Sequence, residues 1–434
     1  MPLRRRAALL ATAASTLAAL TALGGPAQAA SADPAPTATG TATGTAAAAP
    51  APTRADLYGA GDPTYDGVWR QSYAIRAVNR SGYFASTSAV GWLLAQQCAD
   101  GGWPSYRPDT AKPCDPKTED TNATGEAVDT LRAMSPGGAS RQALDRGQAW
   151  LRTVQNADGG WSYNPGGPSD PDSTAIALGA LGEDAAMKAG AKGRSPYEAL
   201  RAFQFGCAAK AADRGAFGYP GTDGKLAPNA KATADALSGM AAANLTTYTE
   251  TESAPPTPKA ADCTADPKAY DTLDPHAAAF AAADWLAAQL RAGGGHLDAV
   301  TPGSDTPTPD YGTTADAAAA LAVLRPADAK AAYTWLAANA GAWAKGNPAA
   351  LAQLIFAADA VQGGRTLAGG ADPVAQLIAL GPAPTKRPTG AMTKADSDKG
   401  DASSSSTTWI IVGAVFVASA GAGILLSGRK RRRA

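Results

Sequence analysis

Apolar stretches of helical length fill residues 56–381, and short clusters of Gly, Pro and Asp separate them. Little β-branched alternation occurs within these stretches. The pattern therefore predicts an all-α domain. Twelve helices are expected, with starts near Gly67, Phe84, Thr121, Arg141, Ser173, Pro196, Ala230, Ala277, Thr313, Ala327, Pro348 and Pro373.

One short motif recurs after alternate helices. Gln-Cys-Ala-Asp-Gly-Gly-Trp spans residues 97–103, Gln-Asn-Ala-Asp-Gly-Gly-Trp spans residues 155–161, and a degenerate copy with an insertion spans residues 204–217. A repeat that cannot bury its apolar face alone must stack on its neighbours. Six hairpins of two helices predict a closed ring, an α6/α6 toroid, rather than an open solenoid. Equivalent places in the repeats are expected for Trp103, Trp161, Phe217, Leu297 and Trp343.

The residues of this motif are predicted to be structural. One glycine would supply the left-handed end of the outer helix, and the next would permit a close backbone approach. The Trp would pack on the following inner helix, and the Gln would bond the backbone of the turn. The residues given this role are Gln97, Asp100, Gly101, Gly102, Trp103, Gln155, Asp158, Gly159, Gly160 and Trp161.

The amino-terminal end is predicted to be an export signal. Three arginines at positions 4–6 precede an apolar stretch at residues 7–23, and small residues allow cleavage after Ala29. Residues 1–29 are therefore interpreted as a signal peptide, with Sec or twin-arginine export both open. Residues 30–55 are mostly Ala, Pro, Thr and Gly, a composition typical of a disordered linker.

The carboxy-terminal end is predicted to anchor the protein. Residues 382–408 are interpreted as a disordered stalk, and residues 409–426 form an uncharged, mostly apolar stretch just long enough to span a bilayer. Five cations follow in residues 427–434, which the positive-inside rule places in the cytoplasm. The sequence thus predicts an exported, single-pass plasma-membrane protein whose domain at residues 56–381 lies outside.

Composition changes the interpretation once these ends are set aside. The whole chain has 38 Lys and Arg against 38 Asp and Glu. Three of the cations lie in the leader and five in the tail, so the remainder carries a net charge of about −8. An acidic domain is a poor partner for nucleic acid, so no nucleic-acid partner is expected. A cationic or neutral ligand suits it better.

The four cysteines are predicted to form two disulfides. In an exported chain, two disulfides are the preferred interpretation of four cysteines over a metal site. Three pairings are possible, and pairing of nearest neighbours would join Cys98 to Cys114 and Cys207 to Cys263. A zinc site would need histidine ligands, and the chain has only His276 and His296. No metal or cofactor is therefore predicted.

The motif Gln-x-x-Asp-Gly-Gly-Trp, followed by Asp-Ser-Thr-Ala at residues 172–175, resembles the prenyltransferase and squalene oxidase repeat. That repeat builds the α/α toroids of terpenoid cyclases and protein prenyltransferases. The resemblance covers nearly all of residues 56–381 and is clearest over residues 92–181. It implies that the odd-numbered predicted helices line a central cavity and that the even-numbered ones form the outside.

The inner helices begin with polar clusters at residues 119–122, 170–174, 229–231 and 310–314. Each cluster can cap its helix, and six such termini would ring one mouth of the barrel with N–H groups, hydroxyls and carboxylates. Capping alone is the alternative for any single residue. The residues predicted to bind a ligand at this mouth are Trp69, Arg70, Asp120, Thr121, Asn122, Asp172, Ser173, Thr174, Tyr311 and Thr313.

The sequence departs from the catalytic motifs of this fold. The acid motif Asp-x-Asp-Asp of squalene-hopene-type cyclases finds its nearest match at residues 170–173, which lack the last acid. The magnesium motif Asp-Asp-x-x-Asp, the zinc ligands of protein prenyltransferases and the thioester segment of complement-type domains are all missing. Asp120 and Asp172 could form the carboxylate pair of a polysaccharide-active enzyme. No catalytic residue is assigned.

The sequence therefore predicts a membrane-anchored, non-catalytic toroid. Cobalamin carriers are similar toroids without catalytic residues, so the expected ligand is cobalamin-like or hydrophobic, or a surface partner. An uptake transporter or a cell-wall component is the expected macromolecular partner, besides the bilayer. The alternative is a diverged terpenoid cyclase or prenyltransferase-like enzyme with its acid at Asp170 or Asp172, and a polysaccharide-active enzyme ranks third.

Overall fold

The computed structural model describes residues 56–134, 137–188, 193–221, 224–245, 258–300 and 306–387. These residues are mostly helical, so the predicted all-α class is confirmed. The helices are α1 (Gly67–Arg80), α2 (Thr87–Ala95), α3 (Thr121–Ala133), α4 (Gly138–Val154), α5 (Pro171–Leu181), α6 (Glu183–Ala186), α7 (Pro196–Arg201), α8 (Ala230–Ala242), α9 (Pro275–Ala292), α10 (Tyr311–Leu321), α11 (Pro326–Asn339), α12 (Gly341–Ala344), α13 (Pro348–Ala360) and α14 (Pro373–Ala379).

Six of these helices pack against one another in a closed cycle. Helix α1 contacts α3, and the cycle continues through α5, α8, α10 and α13 back to α1. Helices α2, α4, α7, α9, α11 and α14 pack on the outside of this ring. These twelve helices correspond to the twelve predicted ones, and the short α6 and α12 are additional. We call the space enclosed by the six inner helices the lumen.

The inner helices approach closely because small residues lie between them. A Cβ atom on Gly125 would come within 2.4 Å of Ile176 Cγ2, and one on Gly239 within 2.3 Å of the Ala175 carbonyl oxygen. Contacts between α13 and α1 join Tyr73 to Phe356 and, further along both helices, Arg80 to Asp359. Neighbouring inner helices therefore run in the same direction, with their amino-terminal ends at one mouth of the ring.

The repeated turns share one set of hydrogen bonds. The Trp161 backbone N–H donates to Thr174 Oγ1 at 3.0 Å, and Asp170 N–H donates to the Trp161 carbonyl at 2.9 Å. Equivalent bonds to a threonine hydroxyl on the next inner helix are made by the backbone N–H groups of Trp103, Phe217 and Leu297. Trp343 does not belong to this set. It lies in the short helix α12 and stacks on Tyr311 with ring centroids 5.6 Å apart.

The glutamine and glycines of the motif hold each turn against the next outer helix. Gln97 Nε2 donates to the Gly101 carbonyl at 3.0 Å and to the Ala143 carbonyl at 2.9 Å. Gly101 has φ +112°, and a Cβ there would lie 2.5 Å from the Arg146 carbonyl oxygen. Both the left-handed backbone and the close approach therefore require glycine at this position.

Within the described residues, three short two-stranded sheets complete the fold. Strands β2 (Gly218–Pro220) and β3 (Leu226–Pro228) lengthen the turn before α8, and β4 (Asp298–Val300) and β5 (Pro307–Pro309) lengthen the turn before α10. Strand β1 (Tyr83–Phe84) pairs with β6 (Thr385–Lys386). This last sheet joins the first hairpin to the final segment of the described chain.

The β1–β6 pair corrects the predicted start of the stalk. Residues 382–387 were assigned to a disordered stalk, yet they are part of the fold, because Arg387 N–H also donates to the Gly82 carbonyl at 3.0 Å. Near the amino-terminal boundary, Gly59 N–H donates to the Leu380 carbonyl at 2.8 Å. The two ends of the domain therefore close on each other.

Both predicted disulfides are confirmed. Cys98 is bonded to Cys114, and Cys207 is bonded to Cys263. The first bond closes the loop that carries the first Gly-Gly-Trp turn, and the second ties the third turn to the segment before α9.

Four predicted segments lie outside the described residues. They are the signal peptide (1–29), the linker (30–55), the apolar span (409–426) and the basic tail (427–434). The stalk also lies outside them from residue 388. Within the described part, none of the helices is both long and apolar enough to cross a bilayer.

Candidate functional site

One face of each inner helix lines the lumen, and α1 shows it most clearly. Trp69, Tyr73 and Arg76 keep partial exposure to solvent, whereas the residues between them are buried. Their spacing of four and three residues is that of a single helix face. Partly exposed residues recur at the same spacing on α8, where Lys231 and Asp235 occupy this face.

The lumen face carries a group of charged residues that we call the lumen cluster. Its members come from five of the six inner helices, and all lie within the first three turns from the amino-terminal mouth. They are Arg76 on α1, Glu126 and Asp129 on α3, Asp172 on α5, Lys231 and Asp235 on α8, and Asp316 on α10.

Two cations organise the lumen cluster. The Arg76 guanidinium lies 2.6 Å from Glu126 Oε2 and 3.4 Å from Asp129 Oδ2. The Lys231 ammonium lies 2.5 Å from Asp235 Oδ2 and 3.6 Å from Asp316 Oδ2. Two ion-paired halves therefore face each other across the ring, one on α1 and α3, the other on α8 and α10.

Asp172 is the exception within the cluster. Among the described residues, no cation lies within salt-bridge distance of its carboxylate, and Oδ1 is buried without a hydrogen-bond partner. Burial raises the pKa of Asp172 well above its ordinary value, and the negative charge of Asp235 raises the pKa further, against an opposing effect of Lys231. These effects favour the protonated form of the Asp172 carboxyl group.

Burial also holds protons on other members of the cluster. It raises the pKa of Glu126 to about 7, with Arg76 opposing and Asp129 adding to the shift. It raises the pKa of Asp316 to about 6, where Lys231 opposes and Asp235 adds to the shift. The amino-terminal ends of six parallel helices favour negative charge at this mouth, which offsets part of the repulsion among the carboxylates. The cluster can therefore exchange protons near neutral pH.

Aromatic rings cover one wall of the lumen. The Trp69 and Tyr73 ring centroids are 5.0 Å apart, and the Tyr73 and Phe356 centroids are 5.5 Å apart. Arg76 lies over both Tyr73 and Phe356, with its guanidinium carbon 4.9 Å and 5.3 Å from the ring centroids. The lumen thus has an aromatic wall on α1 and α13 and an acidic wall on α5, α8 and α10.

Three of the ten residues predicted to bind a ligand lie on the lumen face, namely Trp69, Asn122 and Asp172. Tyr311 lies at the start of α10, where its ring stacks between those of Trp335 and Trp343. The structure thus brings only a minority of the predicted residues together.

The other six predicted residues are engaged inside the fold, which corrects the prediction. Asp120 accepts hydrogen bonds from the N–H groups of Asn122 and Ala123 and from Ser105 Oγ, so it caps α3. This also removes Asp120 from the suggested glycosidase pair with Asp172. Four more are engaged through their side chains: Arg70 donates to the Gly61 carbonyl, Thr121 to the Ser162 carbonyl and Thr313 to the capping Asp310, and Thr174 accepts from the Trp161 N–H. Ser173 donates its backbone N–H to the capping Asp170, while its buried hydroxyl has no hydrogen-bond partner among the described residues.

Sequence reasoning missed most of the lumen cluster. The signal was present, because Lys231 and Asp235 lie four residues apart in an otherwise alanine-rich helix that is predicted to be inner. A charged pair at that spacing on a helix covered from outside can only point into the ring. The same argument would have found Asp316.

Another buried acid, Glu119, lies away from the lumen, beside the first disulfide. Glu119 is 2% exposed and accepts a hydrogen bond from Trp150 Nε1 at 2.7 Å. Burial raises the pKa of Glu119 to about 7, against the effect of this hydrogen bond and with a further rise from the charge of Asp100. The sulfur atoms of Cys98 and Cys114 lie within 4.8 Å of its carboxylate, but they are bonded to each other. The group is therefore not a metal site in this state.

Residues 64–172 match the family of the squalene-hopene cyclase C-terminal domain. This segment runs from just before α1 to Asp172 and includes both complete Gly-Gly-Trp turns. Over these residues the chain is similar to terpenoid cyclases. The resemblance predicted from the repeat is therefore confirmed.

Two individual proteins are similar to the chain over part of its length. Drimenyl diphosphate synthase from Streptantibioticus cattleyicolor is 46% identical over 70 residues, which are 15% of this chain and 13% of that enzyme. The chain thus matches about an eighth of the length of that relative. A crystal structure of a protein from Actinoplanes is similar at 15% identity and a TM-score of 0.42, covering 68% of this chain and 90% of that one.

Proposed function

We propose that this chain is a diverged terpenoid-cyclase-like enzyme that protonates an isoprenoid bound in the lumen, with Asp172 as the proton donor. The observation that carries the proposal is the state of Asp172: a carboxyl group on the lumen face, without a cationic partner, whose pKa burial raises well above the ordinary value. The similarity of residues 64–172 to the squalene-hopene cyclase C-terminal domain supports it.

A carboxylate on a neighbouring helix takes the place of the acid that the motif around Asp172 lacks. In an Asp-x-Asp-Asp motif one carboxyl stays protonated because other carboxylates lie beside it. Here Ser173 replaces the third acid of the nearest match, at residues 170–173, and Asp170 caps α5. Asp235 on the neighbouring helix α8 provides the missing negative charge, since it contributes to the raised pKa of Asp172. The acid arrangement would therefore be assembled from two helices rather than from one motif.

A second candidate is ligand capture without chemistry, the function first predicted from the sequence. The aromatic wall of the lumen supports it, because a hydrophobic ligand needs mostly apolar and aromatic walls. The aromatic side consists of Trp69, Tyr73 and Phe356, and the facing side carries the acids on α5, α8 and α10. In this candidate the protein would be held at the cell surface by residues 409–426 and would pass its ligand to an uptake transporter or a cell-wall partner.

A turnover assay with an acid-to-amide variant tests the enzyme. The full-length chain in non-ionic detergent would be incubated with squalene and with prenyl diphosphates in D₂O, and extracts analysed by mass spectrometry. A cyclised product with one deuterium is expected from the wild type. Asp172→Asn should lower its rate by about 100-fold or more, because the variant keeps the shape but has no proton to give.

The matched control is Asp145→Asn, which removes one carboxylate from an exposed ion pair on α4. Its rate should equal that of the wild type. Equal rates for Asp172→Asn and the wild type would overturn Asp172 as the donor. No conversion of squalene or of prenyl diphosphates by the wild type would overturn the proposed enzyme.

A further inference from the structure

The first disulfide lies beside a buried carboxyl group. The sulfur atoms of Cys98 and Cys114 and a carboxylate oxygen of Glu119 all lie within 4.8 Å of one another. Within the described residues, no other group of three His, Cys, Asp or Glu side chains converges in this way. Thiolate sulfur and carboxylate oxygen are both ligands of Zn²⁺ in proteins. The group therefore has the composition of a zinc site and lacks only free thiols.

A cavity gives solvent and ions access to Glu119. It has a volume of about 300 Å³, and its lining includes Glu119, Asp100 and Thr153. Asp100 and Thr153 are exposed, so the cavity opens to solvent. Because both carboxyl groups line the same space, a cation that enters it is attracted to both. Water in the cavity can also occupy a coordination position that the protein leaves open.

Hydrogen bonds hold the disulfide loop closed independently of the sulfur bond. Arg107, which lies between the two cysteines in the sequence, bonds both arms of the loop. Its Nη1 donates to the carbonyls of Ala95 and Gln97 at 3.2 Å and 2.9 Å, just before the first cysteine. Its Nη2 donates to the carbonyls of Thr110 and Lys112 at 3.0 Å and 2.6 Å, just before the second. Reduction would therefore leave the two cysteines close together.

The carboxyl group is also held independently of the disulfide. Trp150 Nε1 donates to Glu119 Oε2 at 2.7 Å, and Asn164 Nδ2 donates to the Glu119 backbone carbonyl at 2.8 Å. An ionised carboxylate has about four acceptor positions. The bond from Trp150 therefore leaves room on Glu119 for a metal ion.

A dithiol can convert the disulfide into two thiols. Cys98 is 3% exposed, whereas Cys114 is half-buried, so an attacking thiolate reaches the sulfur of Cys114. The attack breaks the bond between the two cysteines, forms a mixed disulfide with Cys114 and releases Cys98. The second thiol of the reagent then displaces Cys114. The reagent ends as a disulfide, so it supplies both electrons and both protons of the reduction.

We propose that reduction of the first disulfide creates a Zn²⁺ site in which Cys98, Cys114 and Glu119 are the protein ligands and water from the cavity is the fourth. The two thiols lose their protons to solvent as the metal binds. In a tetrahedral zinc site the two sulfur atoms lie about 3.8 Å apart. The Cα atoms of the two cysteines are 5.8 Å apart, so rotation of the side chains reaches this separation. The site lies away from the lumen and does not depend on the proposed isoprenoid chemistry.

Zinc titration of two cysteine variants tests the proposal. Cys207→Ser/Cys263→Ser keeps the first pair of cysteines, and Cys98→Ser/Cys114→Ser keeps the second pair, which forms no such group with an acid or a histidine among the described residues. Each full-length variant in non-ionic detergent would be reduced with dithiothreitol under nitrogen, desalted and titrated with Zn²⁺ against a chelating dye. The variant with the first pair should bind Zn²⁺ more than about 10-fold more tightly than the other, and only after reduction.

Two further substitutions in the variant with the first pair test the oxygen ligand. Glu119→Gln should weaken Zn²⁺ binding about 10- to 100-fold, because a carboxamide replaces the anionic ligand. Asp145→Asn removes an exposed carboxylate on α4 and should leave the affinity unchanged.

Three results would overturn the proposal. Equal affinity of the two cysteine pairs would show only ordinary chelation by thiols, and unchanged affinity in Glu119→Gln would remove the carboxylate from the site. The third is a loss of the helical circular-dichroism signal on reduction that Zn²⁺ does not restore, because the site needs the closed loop. Isoprenoid conversion is measured on the unreduced protein, so either proposal can fail while the other stands.

Discussion

At the scale of single residues, similar acids at helix starts have different roles. Asp120, Asp170 and Asp310 each accept backbone N–H groups of the helix that follows, and capping accounts for them. Asp172 lies two positions after the capping Asp170, and its side chain turns into the lumen. The sequence predicted a polar mouth but could not separate caps from lumen residues, because both are polar residues at the same end of a helix.

Glu119 provides a stability prediction at this scale. Its pKa in the fold, about 7, lies above the ordinary 4.5, so the folded state holds the proton more tightly. This contribution is complete below pH 4.5 and is lost as the pH rises to about 7. Glu119→Gln keeps an acceptor for Trp150 Nε1 but cannot ionise. The free energy of unfolding of the variant should therefore fall less between pH 5 and pH 7.5, by about 1 to 3 kcal/mol.

Urea denaturation of both proteins at the two pH values would measure this difference. Glu198→Gln, at an exposed capping box, is the control, since hydrogen bonds from Ser195 lower the pKa of Glu198 and keep it ionised in both folded and unfolded states across this pH range. Parallel pH profiles for Glu119→Gln and the wild type would contradict the assignment.

At the scale of elements, the sequence was informative because helices and turns carry local signals. All twelve predicted starts lie within three residues of observed ones, for example Arg141 against Gly138 and Ala327 against Pro326. The sequence did not predict strands β2 to β5, which lengthen two of the turns, or the short helices α6 and α12. Their pairing depends on hairpins whose sequence has no alternation, and Trp343 was misplaced because α12 shifts the fifth turn.

The second prediction concerns the threonine whose hydroxyl accepts a hydrogen bond from the backbone of each turn. Thr174→Val would leave the buried Trp161 N–H without its acceptor, at a cost of about 1 to 3 kcal/mol in the free energy of unfolding. Thr153→Val is the matched control, because its hydroxyl bonds only the Ala149 carbonyl on an exposed helix surface. That change should stay within about 0.5 kcal/mol.

Chemical denaturation of the three proteins at one pH would settle the comparison. Equal stability losses for the two valine variants would show that the shared turn bond does not hold the hairpins together.

At the scale of the whole molecule, the final segment of the described chain contacts the first hairpin. Arg387 Nε donates to the Tyr83 carbonyl at 3.0 Å, and its guanidinium carbon lies 4.7 Å from the Phe84 ring centroid. The sequence did not predict this contact, since it joins residues 304 positions apart and has no periodic signal. Residues 382–387 looked like the start of a polar stalk for that reason.

The contact of Arg387 with Tyr83 and Phe84 predicts a local effect of Arg387→Ala. The variant should lose about 1 to 2 kcal/mol of local opening free energy, from one hydrogen bond and one cation–π contact. Hydrogen exchange should quicken at residues 83–84 and 385–386 and stay unchanged in α8. Lys386→Ala removes an exposed side chain of the same strand and should leave exchange as in the wild type. Faster exchange throughout the ring would instead mean that this contact controls global stability.

A closed ring also restricts how such a protein can diverge. An open array of repeats can gain or lose a unit at either end, whereas here α13 already contacts α1 and no end is vacant. Adding a hairpin would require every neighbouring pair to change its angle at once. Insertions are therefore expected in the turns, which is where the β2–β3 and β4–β5 hairpins and the long segment before α9 are found. Related sequences should vary in turn length while keeping six inner helices.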